Sequence, residues 1–436
     1  LICPTNWQGP VRQSVFCSQV FRARIIGEKF LEDVGDLLAH VQSLDCGETS
    51  IEPAIGVSGT TDFINTVLSV LEAVAQHPSI LMDYHSVIIE NILPSLASLV
   101  SSDNGDTRIF CLRLFAETTS LYLTHDQLTE ERPLTNPKLL EEIIGERFLP
   151  HCEQILLDPD PVPVYGLKLL LALIEKSPAY IKRVEELELY PVLFQVLLDH
   201  QNAPIGSAVR NLVGILHCLV SHKETDTKAL YDQGIVDHLC NLLQQGVNIH
   251  VNSAENTDSR SVHLLLTSLQ DTILTLLKYV AAMVRHVLQA KKSGVEADTH
   301  GAESLLLTSK PFVEVTDCFM QLICSKERDL KHAACECLSL IGQLFGGEYK
   351  ETMSGDNMDC LATALPRLDT KRQKLLLRFI KRVISTEKHH ADMLREQGQR
   401  LCGALQGMVQ TASSHADVAV SSLASDVLKT AGVKVS

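Results

Sequence analysis

Aromatic side chains are scarce, 5% of the 436 residues with a single tryptophan, Trp7. A core of stacked rings is therefore excluded. Leucine, alanine and valine must fill the interior, which favours helix packed on helix. Positive charge is also in deficit, with 38 Lys and Arg against 53 Asp and Glu, a net −15. General nucleic-acid binding needs a basic surface, so no nucleic-acid partner is expected, although a local basic patch is not excluded.

No C-x-x-C pair occurs among the thirteen cysteines. They run from Cys3 to Cys402, mostly inside apolar helical stretches (Cys111, Cys218, Cys240, Cys318). Only Cys335 and Cys337 sit close, and a two-residue step turns about 200° on a helix, so they should face apart. A disulfide framework would leave one cysteine over. The expectation is reduced, small core residues in the cytosol. No uninterrupted apolar run reaches about 18 residues, so no membrane insertion is expected. The start, "LICPTNWQGPVRQS", has no basic-then-apolar signal layout. It opens on Leu1 rather than Met, as a piece of a longer protein would.

Catalytic motifs are missing too. "GVSGTTDF" (Gly56 to Phe63) lacks the lysine and the preceding strand of a phosphate loop. There is no H-E-x-x-H and no G-x-S-x-G elbow. His389 and His390 are adjacent, diverge by about 100° on a helix, and should be solvated near a helix end rather than share a metal. No enzymatic activity, catalytic residue, cofactor or metal site is expected in this chain.

What the sequence does have is a repeat. The stretch "ILLDPDPVPVYGLKLLLALIEKSPAYIKRVEELELYPVLFQVLLDH" (Ile155 to His200) holds an apolar pair, a proline-rich break, a long apolar helix, a charged connector and a second apolar pair. Such pairs end at Val100, Leu157, Leu198, Leu243, Ile323, Leu365 and Val409, at spacings of 57, 41, 45, 80, 42 and 44. Four spacings are one period of roughly 43, the 80 is close to two periods, and the 57 is one period plus an insertion. An all-helical period of that length predicts an all-α, armadillo/HEAT-like solenoid, a right-handed superhelix of stacked repeats over 1–436. The first repeat, 1–60, is divergent, with "DCGETSIEPAIGVSGTTD" read as a loop before a helix starting near Phe63. Polar insertions are placed near 124–138, 244–260 and 293–303. In "IGSAVRNLVGILHCLVS", Val209, Leu212, Val213, Leu216, Leu219 and Val220 follow the amphipathic spacing. Gly234 suits a left-handed turn between helices, Gly398 should repeat it, and Leu189 occupies the corresponding place in the quoted stretch.

The phrases "SLDCGETSIEPAIG", "ENILPSLASLV", "LRLFAETTSLYL", "EQILLDPDPVPVYGLKLLLALIE", "LYDQGIVDHLCNLL" and "QKLLLRFIKRV", in this order, closely resemble the C-terminal helical-repeat region of the fourth unc-51-like kinase family. The resemblance covers essentially the whole chain. It implies an N-terminal pseudokinase domain outside this chain and a scaffold role in cilia and microtubule-based structures. It further implies a fused-type kinase as partner, ciliary or microtubule-associated proteins as others, and a cytoplasmic, cilium- or axoneme-associated location. An axoneme- or tubulin-docking module is one alternative. An autoregulatory region of a weakly active kinase is another.

One segment stands out electrostatically. From Pro366 to Lys388 there are eight basic residues and two acids, +6 within a chain of −15. Lys371, Lys374, Arg378, Lys381 and Arg382 follow 3- and 4-residue steps and form one stripe. Leu375, Leu376, Phe379, Ile380 and Val383 form the opposite, core-facing stripe. Arg378 and Arg382 fall near positions where cargo-binding armadillo proteins carry Trp and Asn, so an importin-like grip on basic peptides is not expected. The stripe suits an acidic partner such as a tubulin tail, an acidic helix or a phosphopeptide. The plain alternative is a solvated helix face bridged to acids on the neighbouring repeat.

Overall fold

The computed structural model describes residues 26–124, 136–252, 259–294, 296–410 and 415–433. Residues 1–25, 125–135 and 253–258, which fall in the first repeat and in two of the insertions read from sequence, lie outside the described residues. Every described element is helical and no strand occurs among them. The fold is an all-α solenoid, and the chain divides into two compact units, 1–196 and 197–436.

In the first unit the long helices are α1 (Glu28–Asp45), α2 (Glu52–Ala75), α3 (Gly105–Thr124) and α4 (Val162–Lys176). Each packs on the next in order, and Cys152–Leu157 packs against α4. The core centres on Phe115 and Phe148, whose rings lie 6.3 Å apart. Arg113 of α3 reaches Glu72 of α2 at 2.6 Å and lies over the Phe110 ring. The buried Tyr122 hydroxyl donates to the Leu81 carbonyl at 2.9 Å, and burial pushes its pKa up. Two π turns, Ile88–Ile92 and Ile144–Phe148, stand just before Pro94 and Pro150. A proline without an N–H leaves an upstream carbonyl without its helical partner, and the widened turn accommodates the mismatch.

The helix starting near Phe63 in the sequence reading begins earlier. α2 runs from Glu52, with a break at Gly56 (φ 74, ψ 169). The threonine-rich "GVSGTTD" looks like a loop, but Thr60 and Thr61 return their hydroxyls to the carbonyls of Gly56 and Val57 at 3.1 Å, so the helix absorbs them.

After α5 (Tyr190–Asp199), the second unit contains α6 (Ser207–Ser221), α7 (Ile235–Asn252), α8 (Ser259–Ser293), α9 (Thr299–Thr308), α10 (Thr316–Leu322), α11 (Arg328–Phe345), α12 (Gly355–Ala364), α13 (Thr370–Thr386), α14 (Lys388–Gln397), α15 (Gln399–Gln410) and α16 (His415–Thr430). One row of long helices runs α6, α8, α11, α13, α16, each packed on the next. A second row runs α7, α10, α12, α15, and α7, α10 and α15 also pack on α8, α11 and α16. Each pair of facing helices from the two rows is led by a short helical element.

Sequence and structure differ at five places. The 80-residue interval holds one enlarged unit rather than two, because α8 alone takes 35 residues and α9 follows it. The polar insertion at 244–260 is helical as far as Asn252, since Gly246 and Val247 continue the buried face of α7. The insertion at 293–303 contains the start of α9, capped by the Asp298 carboxylate accepting the Gly301 amide at 2.8 Å. Gly234 has the left-handed φ of 78, but Gly398 does not (φ −86, ψ 35), and in the quoted stretch Glu188 rather than Leu189 takes the positive φ, at 52.

Cys335 and Cys337 do face apart, and both are buried, because α11 lies between two helices. Cys337 approaches the Gln270 carbonyl on α8, while Cys335 sits near Asp369 and Arg372 at the start of α13. His390 differs from the expected solvated residue. It is buried, with Nε2 at 2.8 Å from the Gly347 carbonyl, while His389 stays exposed. By length and composition α2 and α8 would each suffice to cross a membrane. Core helices pass the same test, and α8 buries Leu265, Leu269, Leu276 and Val280 inside the second unit while carrying Asp271, Lys278 and Arg285.

Candidate protein-interaction groove

The charged stripe lies on α13, and local chemistry fixes where that helix starts. Asp369 caps it, with Oδ1 accepting the Arg372 amide at 3.0 Å and Oδ2 taking Arg372 Nη1 at 3.1 Å. His332 Nε2 of α11 lies 3.6 Å from the same oxygen. Partial burial pushes the Asp369 carboxyl up, but the Arg372 amide and the Arg372 and His332 charges outweigh it, so it sits below its ordinary value. A carboxyl depressed in the folded state contributes stability above its unfolded pKa and loses it as pH falls through the folded value. Asp369→Ala is therefore expected to cost about 1 kcal/mol near neutrality, and the wild-type advantage should shrink below about pH 4. Thermal melts of both forms across acid pH check this.

Leu376, Leu377, Phe379, Ile380, Val383 and Ile384 form the buried face of α13. Leu375, assigned to the core stripe from sequence, is only half-buried and instead lines a groove. The groove has a volume of about 610 Å³ and is built by three consecutive helices of the long row. From α13 come Lys371, Leu375, Arg378, Phe379 and Arg382; from α11, Glu336, Ser339, Leu340, Gly342 and Gln343; from α8, Lys278. Positions 371, 375, 378 and 382, like 336, 339, 340 and 343, recur at helical spacing, so two facing stripes form the walls. Close approach of the walls depends on Gly342. A Cβ there would fall 2.6 Å from the Phe379 ring.

Four cations and one carboxylate line the groove, 4 − 1 = +3. The carboxylate, Glu336, is 3.7 Å from Lys278, a loose and largely solvated pair. Lys371, Arg378 and Arg382 are exposed. The five-residue stripe therefore splits. Lys374 and Lys381 lie some 60–80° round the helix from the other three. Lys374 is half-buried outside the groove lining, and Lys381 is bound at 2.8 Å to Asp426 of α16. For Lys381, the bridge to an acid on the neighbouring repeat is the observed arrangement. Sequence reasoning missed Lys278 and Glu336, which carry no local signal and join the site only through helix order.

Elsewhere, His263, Glu327 and Asp329 bring three possible ligand atoms within 4.8 Å of one another. The His263 Nε2 contact to Asp329, at 2.9 Å, accounts for that proximity as an ion-pair geometry on an exposed surface.

Comparison with known proteins finds a family match over part of the chain and related proteins beyond it. Residues 8–182 match the model described as "Serine/threonine-protein kinase ULK4-like, HEAT repeats". Mouse serine/threonine-protein kinase ULK4 is 38% identical over 93% of this chain, which spans 31% of that protein. The Arabidopsis thaliana serine/threonine-protein kinase RUNKEL is 26% identical over 56% of the chain and 17% of its own length. Among solved structures, an engineered protein aligns over 93% of this chain and 84% of its own at TM-score 0.50 and 14% identity. A structure from a study of the phosphorylation-controlled interaction between cadherin and beta-catenin aligns over 97% and 69% at TM-score 0.54 and 12% identity. At such identities these two show the fold alone. Residues 8–182 thus match the HEAT-repeat model of the ULK4-like kinases, and the chain as a whole is similar to part of mouse ULK4.

Proposed function

We propose that this chain is a non-catalytic protein-interaction scaffold, the C-terminal repeat region of an unc-51-like pseudokinase, and that the groove between α8, α11 and α13 grips an acidic segment of a partner protein. The observation that carries the reading is the charge of that groove, +3 in a chain of −15, over a floor of Leu340, Leu375 and Phe379. Cations around an apolar floor fit a segment that offers carboxylates or phosphates together with an apolar side chain. Three exposed cations on one wall also steer an anionic partner toward the groove despite the unfavourable net charge. No cofactor enters this reading.

Resemblance to the unc-51-like family supports the finer assignment: a fused-type kinase and ciliary or microtubule-associated proteins as partners, and a cytoplasmic, cilium- or axoneme-associated location. Acidic tubulin tails meet the same chemical requirement, so axoneme docking is the alternative that uses the same groove. The test is fluorescence anisotropy with a labelled glutamate-rich peptide carrying one leucine, alongside its lysine-substituted twin. Binding of the acidic peptide alone, weakened several-fold as salt rises from about 50 to 200 mM, is the expected result. Equal binding of both peptides, or of neither, overturns the reading.

A further inference from the structure

Five described cysteines match the sequence expectation of inert core residues. Cys111, Cys152, Cys240, Cys335 and Cys337 are buried, and burial pushes their thiols up, Cys152 and Cys335 to about 12. Cys324 is unlike them. It stands exposed in the turn after α10, and its sulfur lies 3.4 Å from the carbonyl oxygen of Cys360 on α12. The Cys324 thiol donates to that carbonyl, which places it beside the half-buried Cys360. Arg367, just beyond α12, and Lys331, in the first turns of α11, add positive charge. The Cys360 hydrogen bond, opposed by partial burial and helped by the two cations, brings the Cys324 thiol down to about 7. The same pairing raises Cys360. An exposed, thiolate-prone sulfur beside a second, protonated one is the arrangement of an attacking and a resolving cysteine.

We infer that Cys324 and Cys360 form a peroxide-reactive dithiol that closes to a disulfide between two successive repeat units. The Cys324 thiolate attacks one oxygen of hydrogen peroxide. The O–O bond breaks, and the departing hydroxide takes up a proton to leave as water, so Cys324 becomes a sulfenic acid. The Cys360 sulfur then attacks the Cys324 sulfur, the S–O bond breaks, and the hydroxyl leaves as a second water with the Cys360 proton. Two thiols and one peroxide give one disulfide and two waters, and the sulfurs supply both electrons. The link ties the turn after α10 to α12, 36 residues on, across neighbouring helices of the second row. It does not rest on the groove reading, since neither cysteine lines that groove.

The test uses the whole chain. Limited exposure to hydrogen peroxide, alkylation of remaining thiols and peptide mapping should recover a linked Cys324–Cys360 peptide that dithiothreitol reverses. Cys324→Ser should abolish it, and Cys360→Ser should leave a dimedone-reactive sulfenic acid on Cys324. Before oxidation, iodoacetamide at pH 7 should modify Cys324 about threefold faster than it modifies N-acetylcysteine in the same buffer, the larger thiolate fraction being partly offset by lower nucleophilicity. Its rate should be half-maximal near pH 7 and move to higher pH in Cys360→Ala, which removes the donor. Because the wild-type map and rates need no variant to fold, they decide the matter alone. Alkylation of Cys324 no faster than of N-acetylcysteine, or linkage only to other cysteines, overturns the inference.

Discussion

Phe379→Ala should destabilise the second unit by about 3–5 kcal/mol, the range for removing a fully packed aromatic from a core. Phe379 is 2% exposed, on the buried face of α13 with its ring against Gly342 of α11. The cavity cannot close easily, because α11 is held from its other side by α8 and α13 is held by α16. Each repeat depends on its neighbours for burial, so the loss should extend to the helices after α13 rather than stay local. Urea unfolding followed by circular dichroism should show either a lower midpoint or a separate early transition. Gly342→Ala pushes on the same contact from the other side, its Cβ 2.6 Å from the ring. Combining it with Phe379→Leu should recover part of the loss, a coupling measurable in a double-mutant cycle. A Phe379→Ala cost below about 1 kcal/mol would show that the two helices are not packed through this pair.

The same two helices show how far the sequence could be read. α11 and α13 were legible because leucine, isoleucine and phenylalanine recur at helical spacing and because acids and prolines punctuate the ends. The predicted "KRQKLLLRFIKRVIS" falls wholly within α13. α9 was hidden because its start is an aspartate cap inside a polar run, and the threonine-rich start of α2 because hydroxyl bonds to carbonyls are invisible as periodicity. The groove was half legible. Its α13 wall is a local pattern, but a stripe about 100° wide contains residues facing two different neighbours. Only the packing order separates Arg378 and Arg382, facing α11, from Lys381, held by Asp426. Leu375 was misassigned for the same reason. It stands at the edge between the two faces, where helical spacing is ambiguous and the position of the next helix decides. Lys278, 93 positions before Lys371, becomes a groove residue only because α8, α11 and α13 stack consecutively.

That split sets up the decisive substitution. Arg378→Glu combined with Arg382→Glu should weaken capture of the acidic peptide by about 100-fold, which is about 2.7 kcal/mol. Each reversal removes a charge-assisted hydrogen bond and places a like charge in its stead, so the two sites together reach that size without invoking a deeply buried pair. Fold should persist, because both side chains are exposed and neither forms the buried face of α13. The reversal turns a lining of four cations and one acid into two cations and three acids. Residual binding should therefore lose its preference for the acidic peptide over its lysine-substituted twin. Lys381→Glu is the matched control. It makes the same charge change as either single arginine reversal, three residues or fewer away, but its partner is Asp426 and it does not line the groove. Peptide binding by Lys381→Glu should stay within about twofold of wild type, within the range of a screened surface charge. If Lys381→Glu weakened binding as much as either arginine reversal alone, capture would follow overall charge rather than the groove, and the site would have to be abandoned.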